Sequence, residues 1–548
     1  MPTTKQQDFK EAVKELLKLL KLDKPDIMAI YVYSIFSGLL YLALPLGIQF
    51  IVGFIMAGSI STSAIILMIV ILITLSLNGL LQIKQFEIIE KIEQKLFVRY
   101  SFRFAESLAS IDLLKMDSYY LPELVNRFFE VSTLQKSIYK LLIDVPAAAV
   151  QIILGTLLLS LYHPLFIGFG FLLLTLVTFI IWATSTRGLQ SAINTSNLKF
   201  ETGAWMEEMA RNGISYKFNK GSDFHMRKTD ELVASYLDSK TEHFRILKIQ
   251  YGSLISFKII IVAVMLILGI ALLVNQEINI GQFIAADIVI IAIIGSVEKF
   301  IASFDTLYDA LTSQQKLEKV TQAAMERQGN IEYKSNKRGP AIELQNVSFS
   351  YENNFNVIKD FTLNMAPEQW VVLNGKKGSG KSSIINLLSG SYADFGGNIL
   401  INKIPIGNYH LGSLRSHIGV LLQNSNVFKG SLLENVTYSK EVSSMDTLQE
   451  LASLTGLAKY VHDSRNGWDQ IIDTYTRKIP SPFMHSILLT RALYNQPDLL
   501  LLEDPFIYLD GSERDRLVKY VKEKMKSTVL IVNNQFQSLD FCDYSITM

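Results

Sequence analysis

Gly375-Lys376-Lys377-Gly378-Ser379-Gly380-Lys381-Ser382 has the G-x-x-x-x-G-K-[ST] spacing of a phosphate-cradling loop. Its glycines let the backbone curl until consecutive N–H groups point at phosphate oxygens. Residues 371–374 before it read as a buried strand. Residues 383–388 after it, beginning at Ser383, read as a helix whose positive dipole end faces the same anion. In that setting Lys381 reaches the β- and γ-phosphates and the Ser382 hydroxyl sits on Mg²⁺. The order strand, loop, helix implies a site for a nucleoside triphosphate.

The rest of the chain must position that loop. Of 548 residues, 49% are hydrophobic, the net charge is +1 and the mean hydropathy is +0.25. So balanced a charge gives no sign of a nucleic-acid partner. Cys542 is the only cysteine, which excludes an intrachain disulfide and a cysteine-based metal cluster, and the seven histidines show no ligand spacing.

The apolar residues gather before residue 305, in six runs: 27–56, 65–83, 145–162, 166–183, 259–274 and 280–301. Most approach the ~20 residues that cross a ~30 Å hydrocarbon core. Their connections alternate between short and long. The short ones (57–64, around His163-Pro164, and 275–279) contain no Lys or Arg, whereas 84–144 and 184–258 are rich in both. The positive-inside rule therefore puts the long connections and both termini in the cytoplasm. Helical periodicity over 88–108, 124–142, 189–209 and 229–249 carries the spans on past the bilayer, with turns near 113–121 and 212–223. Residues 8–22 read as an amphipathic helix at the membrane surface, not as a cleavable signal. Asp287 stands inside the sixth run, either on a substrate path or near the outer interface. Lys258 reads as snorkelling at the inner interface. This gives an amphipathic helix over 1–26, a six-helix membrane domain over 27–317, a linker over 318–339 and an α/β nucleotide-binding domain over 340–548.

Within that last domain the alternating strand 342–349 is followed by Tyr351. The run His417-Ile418-Gly419-Val420-Leu421-Leu422 ends in Gln423 and continues into Phe428-Lys429-Gly430-Ser431-Leu432-Leu433-Glu434-Asn435-Val436. Leu499-Leu500-Leu501-Leu502-Glu503-Asp504-Pro505-Phe506 ends in two carboxylates, and Tyr508-Leu509-Asp510 follows. These stretches resemble an ATP-binding cassette (ABC) domain. With six spans and long cytoplasmic extensions, the chain resembles an exporter-type ABC half-transporter. Glu123-Leu124-Val125-Asn126-Arg127 is similar to the family's first cytoplasmic loop, and Pro45-Leu46-Gly47-Ile48-Gln49 to the first span of peptide and protein exporters.

The resemblance implies ATP and Mg²⁺ as cofactors, with the nucleotide on Tyr351 and the loop from Gly375 to Ser383. It implies Mg²⁺ on Ser382, Gln423 and Glu503, and hydrolysis around Glu503, Asp504, Gln423 and Asn534. It also implies a multi-pass protein of the plasma or inner membrane, in lipid, paired with a second half-transporter subunit. A type I secretion system would add a periplasmic adaptor. With no room for a peptidase before residue 27, leader cleavage is not expected.

Four features depart from the family pattern. In the register set by Pro505 and Asp510, Glu503 stands where the family has its Mg²⁺-side Asp, and Asp504 where it has the catalytic Glu. Asn534 replaces the switch histidine, and Asn carries no cationic form. The signature Leu-Ser-Gly-Gly-Gln falls on Ile479-Pro480-Ser481-Pro482-Phe483, where both prolines lack an N–H. ATP binding is expected to survive these changes and hydrolysis to be weak. A regulatory or scaffolding subunit of a heteromeric transporter is the alternative to a self-sufficient exporter.

Overall fold

The computed structural model describes residues 9–56, 62–112, 114–115, 121–218, 221–351, 355–438, 442, 444–473, 479–534 and 539–548. Contacts divide the chain into two units, one of residues 1–109 and 119–323, the other of 110–118 and 324–548.

In the first unit the lysine-studded stretch after residue 8 folds as α1 (Phe9–Lys21) and buries Ala12, Leu16 and Leu19 along one side. The first apolar run is two helices, α2 (Lys24–Tyr41) and α3 (Ala43–Met56), separated at Leu42. Pro45 explains the break, because its ring crowds the carbonyl four residues back and it has no N–H to continue the ladder. Then follow α4 (Thr62–Ser110), α5 (Leu121–Asn126), α6 (Glu130–Tyr162), α7 (Leu165–Arg211), α8 (Gly213–Phe218), α9 (Phe224–Val274) and α10 (Ile280–Thr321).

Six helical stretches are long and apolar enough to cross a membrane, among the described residues: Lys24–Met56, Thr62–Ser110, Leu124–Tyr162, Leu165–Arg211, Phe224–Val274 and Ile280–Thr321. The extensions expected past the spans are thus continuous with them. The turn expected at 113–121 lies largely outside the described residues, and the one at 212–223 contains α8. Asn279 caps α10 reciprocally with Gln282. The two short turns are tied by His163 Nε2 and Glu277 Oε2 at 3.0 Å. Asp287 lies about two turns inside α10 and is exposed. Lys258 has a specific partner, since its Nζ donates to Glu298 Oε1 at 2.8 Å.

The second unit alternates strands and helices. In order they are β1 (Ile342–Tyr351), β2 (Phe355–Met365), β3 (Trp370–Asn374), α11 (Lys381–Leu388), β4 (Gly396–Ile401), β5 (Ile404–Pro405), α12 (Leu411–Arg415), β6 (Ile418–Leu421), β7 (Gly430–Ser431), α13 (Leu432–Thr437), α14 (Met445–Leu454), α15 (Leu457–Asp463), β8 (Ile471–Ile472), α16 (Ser481–Tyr494), β9 (Leu499–Glu503), α17 (Gly511–Tyr520), β10 (Thr528–Asn533) and β11 (Tyr544–Thr547). The parallel sheet runs β11-β3-β10-β9-β6, and an antiparallel sheet runs β2-β1-β4-β5. Every residue of β9 and β10 is buried, as expected of strands covered on both faces.

The stretch from Ala324 onward belongs to this second unit. Tyr333 is buried against Tyr409 and His417. Glu326 forms a two-pronged pair with Arg415 at 2.7 and 2.8 Å. Asp112 N donates to Ala324 O and Glu326 N to Ser110 O, so residues 110–112 join the same unit.

Candidate nucleotide-binding site

Open parallel sheets collect their functional groups at the carboxyl ends of the strands. The loop Gly375–Gly380 follows β3, Gln423 lies two residues past β6, Glu503 closes β9 and Asn534 directly follows β10. Because β3, β10 and β9 are consecutive neighbours, their ends are adjacent. Sheet order, and not nearness in the chain, makes the site.

Gly378 and Gly380 have φ of 84° and 95°, a left-handed conformation that a side chain would strain. Lys376 O accepts from Ser379 N at 3.2 Å, which closes the turn, and Lys377 is exposed beside it. Lys381 folds back across the loop, donating to Gly375 O and Lys376 O at 2.8 Å each. Burial pushes its ammonium below the ordinary value, while Glu503 and Asp504 pull the other way. Ser379 Oγ is buried with no protein partner, a donor free for an anion. Tyr351 is the last residue of β1. Its hydroxyl lies 2.9 Å from Ser383 Oγ, and its ring packs edge-on against Phe349 and Tyr392. Tyr351 is therefore anchored to the helix that carries the phosphate loop.

The two carboxylates have different partners. Glu503 Oε1 accepts from Ser382 Oγ at 2.7 Å, and Oε2 from Gln423 N at 3.1 Å. A hydroxyl and a carboxylate meeting beside the phosphate loop suit a hard, oxygen-preferring cation such as Mg²⁺, which completes its shell with phosphate and water. The Gln423 side chain points elsewhere, its Nε2 donating to Asp504 Oδ2 at 2.9 Å. Asp504 Oδ2 also accepts from Asn534 Nδ2 at 2.7 Å, and Oδ1 from Asn534 N at 2.8 Å. Both carboxylate oxygens of this residue, 8% exposed, are thus engaged. Its backbone has φ of 45°, a left-handed region that Asp tolerates better than most residues.

Pro480 is the N-cap of α16 and Pro482 sits in its first turn, leaving N–H groups on Ser481 and Phe483. Sequence reasoning missed His485, one turn further along α16. Its Nε2 lies 3.3 Å from Asp504 O, and its ring packs edge-on against Tyr508. Burial lowers its basicity below the ordinary value, opposed by the bond to Asp504. No spacing signal could have found it, since 19 residues separate it from Asp504.

A glycine loop on a helix N-terminus, beside two carboxylates at the end of a parallel strand, defines a P-loop nucleotide-binding domain. The family pattern described as ABC transporter matches residues 358–507. The chain is similar to a Rickettsia conorii protein named as an export ATP-binding/permease protein, 23% identical over 342 residues, covering 61% of this chain and 58% of that one. It is also similar to the Xenopus tropicalis ATP-binding cassette sub-family B member 6, 28% identical over 203 residues, covering 37% and 24%. The chain thus spans less than two thirds of the length of either relative. A bacterial Atm1-family ABC exporter, solved with ATP bound, superposes with a TM-score of 0.85 at 15% identity, covering 96% of this chain and 93% of that one. Residues 358–507 thus match an ABC transporter domain, the chain shares the fold of that exporter, and six of its helices are long and apolar enough to cross a membrane.

Proposed function

We propose that the chain binds MgATP and works as one half of a dimeric ABC exporter. The nucleotide-binding unit and both termini would be cytoplasmic, and the membrane the plasma or inner membrane. The observation that carries this reading is the convergence of Ser379, Lys381, Ser382 and Glu503 at the ends of β3 and β9. Backbone N–H groups and Lys381 would hold the phosphates, and Tyr351 would stack on the base. Ser382 and Glu503 would hold Mg²⁺, which neutralises phosphate charge when bound. Binding would close two such units, and the helical extensions would pass that closure to the spans, alternating inward and outward access. The resemblance of residues 45–49 favours a peptide or protein substrate, with an adaptor if the system is of the type I secretion kind.

A second reading is favoured by Asp504. Its carboxylate is one methylene shorter than the family's Glu and already accepts three hydrogen bonds. Three of its roughly four acceptor sites are thus taken, which leaves it little capacity to orient an attacking water, and a misplacement of ~1 Å costs about 10²-fold. In that reading the chain is an ATP-binding subunit with little turnover, in a heteromeric transporter.

One experiment separates the two: ATP binding and hydrolysis measured on the same purified protein in lipid. Lys381→Ala is expected to weaken binding by roughly 10- to 100-fold, the worth of a charged hydrogen-bond donor. Unchanged binding in that variant would overturn the nucleotide site. Robust turnover abolished by Asp504→Asn would establish a self-sufficient exporter, whereas binding without turnover would establish the second reading.

A further inference from the structure

Between α1 and the helices it packs on lies a cavity of ≈ 200 Å³. Leu16 and Leu20 wall it from α1, Leu142 and Val145 from α6, and Phe300 and Phe304 from α10. It offers almost nothing polar. Ser303 is buried there, and its hydroxyl is already committed to Lys299 O at 2.8 Å. Such a space does not retain water, which needs two or more polar partners. It suits a hydrocarbon.

Its depth says which hydrocarbon. Tyr31 lies near the start of the first apolar run, Val145 opens the third and Phe300 ends the sixth. By the charge asymmetry of the connections these are the cytoplasmic ends of the spans. The cavity therefore sits where acyl chains give way to headgroups. Leu17 and Tyr31, 53% and 45% exposed, form its rim on the accessible side. On its solvent face α1 carries Lys10, Lys14, Lys18 and Lys21 against Glu11 and Glu15, and Lys18 is paired with Glu15 at 2.5 Å. That excess of positive charge beside an apolar slot complements an anionic headgroup joined to an acyl chain.

We infer that the cavity beneath α1 is a binding site for one acyl chain of an anionic phospholipid of the inner leaflet, with the headgroup held by the α1 lysines. The lipid then forms part of the joint between the amphipathic helix and the spans. This goes beyond the nucleotide reading and does not depend on it.

The test is native mass spectrometry of the full chain, moved from mixed phosphatidylglycerol and phosphatidylcholine nanodiscs into detergent. One phosphatidylglycerol per chain is expected to survive the transfer in preference to phosphatidylcholine. Ser303→Phe fills the cavity from α10 and Leu16→Trp fills it from α1. Each is expected to cut retention about tenfold, and either alone suffices if the other fails to fold. Lys14→Glu combined with Lys21→Glu is expected to keep a lipid but lose the headgroup preference. The inference is overturned if no lipid is retained, if both filled variants retain as much as the parent, or if the retained molecule is not a phospholipid. ATP binding on the same samples keeps this result distinct from the fate of the nucleotide site.

Discussion

Asp504 is held in place by its neighbours more than by its own backbone preference. Asn534 closes over it with two donors and Gln423 adds a third. Asn534→Ala is expected to remove one of the two donors on Oδ2, leaving the bonds from Gln423 and from the residue-534 backbone N–H. Turnover in that variant would rise if the clamp limits hydrolysis and stay flat if carboxylate length does, a difference that steady-state phosphate release resolves. His485 adds a pH signature. Its basicity is lowered in the fold mainly by burial. The unfolded chain therefore takes up a proton at this position before the folded protein does, as pH falls below the ordinary histidine value. The stability contributed by neutral His485 is full above about 6.5, and it is lost as pH drops towards the lower folded value. Replacement by Gln, which does not titrate, is expected to flatten the fall in melting temperature between pH 7.5 and 5.5. An equal fall in both proteins would mean that other groups govern the acid limb. Cys542 is the quiet residue of this unit. Burial pushes its thiol up to about 12, so native protein should resist alkylation at pH 8 until denaturant is added.

At the scale of elements, α16 is the test case. Its N-terminus still presents a helix dipole, but Pro480 and Pro482 remove two N–H groups from the segment that the resemblance aligns with the family's signature. Restoring donors with Pro480→Ser and Pro482→Gly is expected to raise turnover by ~10²–10³-fold wherever this segment faces a competent partner site. No gain in phosphate release would place the limit at the carboxylates instead. Much at this scale was legible in the sequence. The phosphate loop, the buried strands β9 and β10 and the six spans each rest on a local signal, either a fixed spacing or an unbroken apolar run. What was not legible depends on contacts between distant segments. Leu42 interrupts the first span because Pro45 acts on the preceding turn, a break hidden inside a continuous apolar run. Gln423 was legible as the residue that ends a buried apolar run. That its amide would turn to Asp504 while its backbone N–H served Glu503 depends on the order of the parallel strands, which no stretch of sequence announces. His485 was invisible for the same reason.

For the molecule as a whole, the proposed exporter function requires a second half. Cross-linking in native membranes is expected to trap a species of about twice the 61.8 kDa chain mass if the pair is homomeric. A heavier or lighter species containing another polypeptide would identify a heteromer, and would favour the reading in which this chain binds ATP and its partner hydrolyses it.

The join of residues 110–112 and 324–333 to the nucleotide-binding unit also governs how the protein can be dissected. A fragment begun at residue 340 would leave Tyr409 and His417 without Tyr333, and the Arg415 guanidinium without its carboxylate. Losing that charged pair alone is worth about 1.5–3 kcal/mol. A fragment begun at Ala324 keeps both. It would still lack the strand-like partner that Ile111 gives to Met325, and a peptide spanning residues 110–118 supplied in trans should raise its melting temperature. The polypeptide is thus covalently continuous but sorted out of order, with a short piece of its first half acting as the missing edge of its second.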